Sequence, residues 1–280
     1  MTITLTQLRR YPVKSMRGQD LESAIVEPWG LAGDRRWMVA DPTGETITAR
    51  EFPRLLLITP ELTPEGVWLR ADDREPLFVS TPTEPTTVSV HNGTPFTGAL
   101  APPDATAWLS DYLGTHARLV FTDDPTRRHP NPRFARPDDS VSFADAYPLL
   151  LATQDSLAQV NAWIAQGPLA HEGPLPMARF RPNLVVAGGA PFAEDCWRRI
   201  RIGEAVFRTP KGSDRCVITT TDPDTAARGK EPIATLARYR RWDGATWFAM
   251  NAVPDTPGVV IKLGDKVEIL EAEQSDGPPR

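Results

Sequence analysis

Cys216 stands beside Arg215 at the head of a β-branched run, Arg215-Cys216-Val217-Ile218-Thr219-Thr220-Thr221, which leads into Asp222-Pro223-Asp224-Thr225. A neighbouring cation favours thiolate over thiol and β-branched side chains are stiff at χ1, so the pattern predicts a sulfur held at the start of a strand with its acidity increased. A thiolate there can act as a nucleophile or as a metal ligand, and an inert, half-buried thiol is the third reading the residues leave open. Cys196, in Glu194-Asp195-Cys196-Trp197, reads as inert. Neither cysteine has the CxxC or Cys/His spacing of zinc and iron-sulfur sites, and two cysteines make no disulfide framework for 280 residues. His91, His116, His129 and His171 show no ligand spacing and are given no catalytic role. The Asp222-Pro223-Asp224-Thr225 segment is first of all a turn, because its aspartates can bond their own backbone.

The elements that must position this sulfur are short. Twenty-nine prolines and 19 glycines are spread along the chain and 40% of residues are hydrophobic, which suits many strands joined by turns around an ordinary core. Strands are expected at 3–10, 24–27, 37–40, 46–49, 55–59, 67–70, 77–80 and 87–90. Asp41-Pro42-Thr43-Gly44 and His91-Asn92-Gly93-Thr94 form hairpin tips. A helix capped by Asp104 runs to Gly114. The stretch 122–137, with four prolines and four arginines, reads as a long loop or connection, and the boundary between the two parts is placed at 117. Beyond it, a buried strand at 149–152 precedes a helix from Ser156 to about Ala165. Further strands are expected at 183–187, 197–202, 205–209, 217–221, 259–262 and 266–270, and a helix at 232–241.

A formal net charge of −5 argues against a general nucleic-acid binder. Arg127, Arg128, His129, Arg133 and Arg136 form a basic cluster, which is either a solvated loop balanced by nearby aspartates or a platform for an acidic partner. No run approaches the roughly 18 apolar residues of a membrane helix, and the N-terminal text lacks a signal-peptide pattern. The expected compartment is the cytoplasm, with no membrane partner.

Five separated segments carry a resemblance. Tyr11-Pro12-Val13-Lys14-Ser15, Gly33-Asp34-Arg35-Arg36-Trp37, Thr48-Ala49-Arg50 with Pro53-Arg54-Leu55, Phe180-Arg181-Pro182-Asn183, and Arg215-Cys216 through Thr225 stand in the order of the motifs of MOSC proteins. The chain resembles that family, in particular the mitochondrial amidoxime-reducing component and its bacterial relatives. The resemblance implies a β-rich α+β fold: a MOSC β-barrel at 118–274, a MOSC N-terminal β-barrel-like domain at 1–117 whose first strands complete the MOSC barrel, and a few peripheral helices.

It also implies the molybdenum cofactor (Mo-molybdopterin), with Cys216 as the metal ligand. Lys14, Ser15, Arg35, Arg181, Asn183 and Arg215 would contact its phosphate and pterin, because such a group needs cationic and amide partners. Soft sulfur suits a metal that changes oxidation state. Asp145 matches a family aspartate near the metal, where a carboxyl with a raised pKa could supply a proton. Ala146 and Tyr147 depart from the small hydroxyl residues usual there. The implied activity is reduction of small N-hydroxylated or N-oxygenated compounds. Electrons would come from a separate electron-transfer protein, since no cysteine-rich cluster segment is present. A carrier of the same cofactor without turnover is the alternative, and a metal-free cysteine enzyme is the third reading.

Overall fold

The computed structural model of the chain describes residues 2–274. Seven strands close into a barrel: β1 (Ile3–Arg10), β2 (Leu149–Thr153), β3 (Leu184–Ala187), β4 (Trp197–Ile202), β5 (Ala205–Asp214), β6 (Ala245–Pro254) and β7 (Lys266–Ala272). Their order is β2-β3-β1-β7-β4-β5-β6, and β6 pairs back onto β2, so the barrel has no open edge. Neighbours are antiparallel except β2 and β3, whose parallel pairing requires the crossover that the helix Gln154–Ala165 supplies. Leu5, Leu8, Leu151, Leu184, Ile200, Phe207 and Val267 fill the interior. Leu5 and Leu8 are three apart yet share one face, because the β1–β3 register shifts between Leu5 and Gln7.

The other module packs a sheet in the order Trp37–Ala40, Arg118–Phe121, Phe96–Leu100, Glu84–Val88 beside a meander of Thr59–Thr63, Gly66–Ala71 and Arg74–Ser80. Val39, Leu55, Leu69, Leu109 and Leu119 belong to its core. The helix Pro103–Leu113 ends on Gly114 in the left-handed conformation, φ 69°. Because Arg118–Phe121 pairs with Trp37–Ala40, this module continues past residue 117, while β1 belongs to the barrel. No helix among the described residues is long and apolar enough to cross a membrane.

Several sequence expectations fail for identifiable reasons. The segment 55–59 is largely a 3₁₀ helix, Pro53–Leu57, started by a proline with preset φ, and the strand begins only at Thr59. At 46–49 there is one bridge, Ala40 to Thr46. The segment 217–221 is also mainly a 3₁₀ helix, Val217–Thr220. Thr219 and Thr220 donate their hydroxyls to the carbonyls of Cys216 and Val217, a local bond that competes with a sheet ladder. β5 runs to Asp214, past the expected end at 209, because a register shift between Arg208 and Lys211 absorbs the donor missing at Pro210.

Candidate functional site

Lys14, Ser15, Arg35, Asp145, Arg181, Asn183, Arg215 and Cys216 all line one cleft of about 370 Å³. They arrive on different elements: the segment after β1, the turn before Trp37, the loop before β2, the end of the 3₁₀ helix Met177–Phe180, and the end of β5. Ser15, Arg35 and Arg181 hold left-handed backbone, φ 68°, 46° and 56°. For residues with a Cβ that conformation costs about 1–2 kcal/mol each, a cost met here by surrounding bonds.

Those bonds centre on two buried side chains. Asp34 is fully buried, and its carboxylate accepts from Tyr11 N at 2.7 Å, Asn183 Nδ2 at 3.1 Å and Arg35 Nη1 at 2.6 Å. Asn183 Oδ1 accepts from Arg35 Nη1 at 2.8 Å and Leu150 N at 3.2 Å, and its Nδ2 also donates to Arg9 O at 3.1 Å. Two donors and two acceptor sites are all an amide offers. The expected direct contact from Asn183 to a bound group therefore gives way to a positioning role: Asn183 holds Arg35.

Arg35 and Arg181 lie over the ring of buried Tyr11, 4.4 and 4.3 Å from its centroid. The Arg181 guanidinium has no hydrogen-bond acceptor among the described residues. Burial, with Arg35 alongside, pulls its pKa down to about 10. A partly buried guanidinium fork with its donors unspent is built for an anion. Arg215 donates to Ser213 Oγ at 2.7 Å and Phe180 O at 2.9 Å, leaving Nε without a partner.

Lys14 is 5% exposed; its Nζ donates to Phe143 O at 2.9 Å and pairs with Asp145. Burial lowers its pKa to about 8 against the pull of Asp145. Asp145 itself corrects an expectation. Enclosure in the cleft pushes its pKa up, but Lys14 and His91 outweigh that and hold it well below the usual carboxylate range. Asp145 is therefore ionised at neutral pH and is no standing reservoir of a proton.

Cys216 is exposed in the cleft at the cap position of the Val217–Thr220 turn. The adjoining Asp222 behaves as a turn residue: its Oδ1 accepts from Asp224 N and Thr225 N, and its Oδ2 pairs with Arg179 at 3.1 Å. Among the described residues no three His, Cys, Asp or Glu side chains gather as a metal site. A metal at Cys216 would thus take its other ligands from a bound molecule, and the unspent donors of Arg181 fit an anionic, polar one.

From the sequence His91 had no role and Arg50 was part of a motif without being assigned to the site, yet both line the cleft. His91 Nε2 lies 3.0 Å from Asp145 Oδ1. Its only local signal was the Asn-Gly turn that follows it. In the basic loop two of the arginines have carboxylate partners within the chain and a third is bonded to backbone. Arg127 pairs with Asp123 and Asp124, and Arg136 with Asp255. Arg128 donates to the carbonyls of Ser142, Ala144 and Asp145 at 2.5, 2.6 and 2.8 Å.

Comparison with known proteins adds the following. Residues 2–116 match the model of the MOSC N-terminal beta barrel domain and residues 138–268 that of the MOSC domain. Human mitochondrial amidoxime-reducing component 1 is 32% identical over 288 residues, covering 95% of this chain and 83% of the relative. Human mitochondrial amidoxime reducing component 2 is 32% identical, covering 86% and 73%. The YUAD protein of Bacillus subtilis aligns with 95% of this chain and 94% of its own at 12% identity, with a TM-score of 0.44.

Proposed function

The chain belongs to the MOSC-domain family that includes the mitochondrial amidoxime-reducing components, and from that premise we propose that it is a molybdenum-cofactor-dependent reductase of small N-hydroxylated or N-oxygenated compounds, supplied by a separate electron-transfer protein. The observation that carries this reading is an exposed thiol, Cys216, in a cleft that also presents Arg181, whose guanidinium has no acceptor among the described residues. In this reading Cys216 ligates the metal, while Arg181, Arg215, Arg35, Lys14 and Ser15 hold the phosphate and pterin, and Asn183 with Asp34 keeps Arg35 in place. When bound, the group supplies two-electron oxygen-atom chemistry, for which soft sulfur ligation is suited.

The chain's own residues do the rest. Cations in a partly water-excluded cleft bind an anionic group more strongly than they would in water. The Asp145 carboxylate, held between Lys14 and His91, accepts and passes protons instead of storing one. The overall change is R–NH–OH plus two electrons and two protons to R–NH₂ and water.

The test is the molybdenum and pterin content of protein from a molybdopterin-competent host, wild type against Cys216→Ala, followed by reductant-dependent turnover of an aryl amidoxime. Near-stoichiometric metal that is lost in the variant, with turnover by wild type, is the expected result. Metal without turnover would leave the carrier reading. A wild type that takes up no metal from such a host would overturn both.

A further inference from the structure

Lys211, Asn251 and Leu150 line the cleft, and the reading above gives none of them to the cofactor. They form one row across three adjacent strands: Leu150 of β2 stands opposite Asn251 of β6, and Asn251 opposite Lys211 of β5. Residues directly opposite in antiparallel strands project from the same face of a sheet, so the three share one wall. The two neighbours in this row are neutral, and Asn251 spends its Nδ2 on Gly212 O at 3.0 Å. The charge of Lys211 is therefore not cancelled across the strands.

The Lys211 side chain runs forward along β5 toward Cys216. Its Nζ lies 3.5 Å from Oδ1 of Asp214, two residues before the cysteine. That is the one acceptor Nζ meets among the described residues. The contact is at the outer limit of a hydrogen bond and the Asp214 side chain is 61% exposed, so water screens it and the pair is weak. Trp247 and Phe134 flank the ammonium, with ring centroids 5.3 and 5.8 Å away. Phe134 belongs to the 122–137 loop, which thereby reaches the cleft wall. Between these rings the Lys211 side chain is 27% exposed. An ammonium so enclosed, with most of its donors unspent, attracts an anion more strongly than a lysine in open water.

We propose that Lys211 is a specificity-determining residue, which holds a carboxylate on the substrate while the N-hydroxylated end lies toward Cys216. This names a substrate class for the site and rests on the proposed function above. The favoured compounds are aryl amidoximes with a carboxylate on the ring, away from the amidoxime. Asp214 yields its contact to water at little cost, because an exposed ion pair contributes little. The flanking rings of Phe134 and Trp247 keep the ammonium in place.

The test measures para-carboxybenzamidoxime against benzamidoxime on loaded wild type, Lys211→Met and Lys211→Gln, with melting temperature and molybdenum content as controls. Methionine keeps an aliphatic stem between the two rings, and glutamine serves if the methionine variant does not fold. In wild type, kcat/KM should favour the carboxylated compound about tenfold, through KM, and the ratio should fall to about one in the variants. Both substrates are read on the same protein, so a general loss of activity cancels from the ratio. A wild-type ratio near one would overturn the proposal, as would a preference undiminished in a folded variant, which would place the carboxylate on another cation such as Arg50. A loaded wild type that reduces neither amidoxime would count against the proposed function instead. Calorimetric binding of para-carbamoylbenzoate and benzamide then decides on Lys211 alone: tighter binding of the carboxylate that is lost in the variants upholds the anchor, and equal binding overturns it.

Discussion

The 127–136 loop and the wall of the cleft both gather arginines, but they use them differently. In the loop, Arg127 and Arg136 meet carboxylates, and Arg128 is spent on three carbonyls beneath Asp145. In the cleft, Arg181 rests on Tyr11 with no acceptor for its guanidinium among the described residues. Burial alone does not separate them, because it draws Arg128 and Arg181 alike down to about 10. What separates them is whether the chain itself supplies acceptors. A cation already bonded maintains the fold, and one left short of bonds is available to a ligand.

The largest effect expected on this contrast is at the residue the cleft surrounds. Cys216→Ser should abolish turnover while leaving the melting temperature within about 1 °C, since the side chain is exposed and a surface change of this size costs under about 0.5 kcal/mol. Metal content and calorimetry check both halves. Asp34→Ala should cost about 3–5 kcal/mol in denaturant unfolding, because it strands the Arg35 charge in a buried site.

The sharpest comparison is Arg128→Gln against Arg181→Gln. Loss of Arg128 should lower stability by about 1–3 kcal/mol, since carbonyls in a partly buried loop lose their donors. Loss of Arg181 should leave unfolding nearly unchanged and weaken retention of the bound group about ten- to a hundredfold, measured as release of pterin on dilution. Equal destabilisation by both would erase the distinction.

Lys14 adds a pH signature. Its folded pKa is about 8 against an ordinary 10.5, so between those values the unfolded chain holds a proton that the folded one has released. Stability from this group therefore rises with pH across that window, by about 1–3 kcal/mol, and Lys14→Met should remove the rise from a pH series of urea titrations. The smallest effect belongs to Arg127→Gln, expected within about 0.5 kcal/mol because its partners are solvent-exposed aspartates.

Much of the fold was legible where local patterning agrees with tertiary packing. The strands Ile3–Arg10, Trp37–Ala40 and Trp197–Ile202 and the left-handed stop at Gly114 were all expected. The strand Ala245–Pro254, which closes the barrel, was not. Seven of its ten residues are buried, all but Ala245, Thr246 and Asn251, so it lacks the in-out alternation that marks a strand in sequence.

Eight of the residues that line the cleft were named from the sequence by itself, because residue type and order survive without coordinates: Lys14, Ser15, Arg35, Asp145, Arg181, Asn183, Arg215 and Cys216. What each can do was decided by the tertiary structure. Asn183 is saturated, Asp145 is held below the usual carboxylate range by Lys14 and His91, Arg181 is unspent, and His91 enters from another sheet. The physical reason is that hydrogen-bond capacity and charge state depend on neighbours in space, and these neighbours lie far apart in the chain, as Arg35 and Asn183 do at a separation of 148 residues.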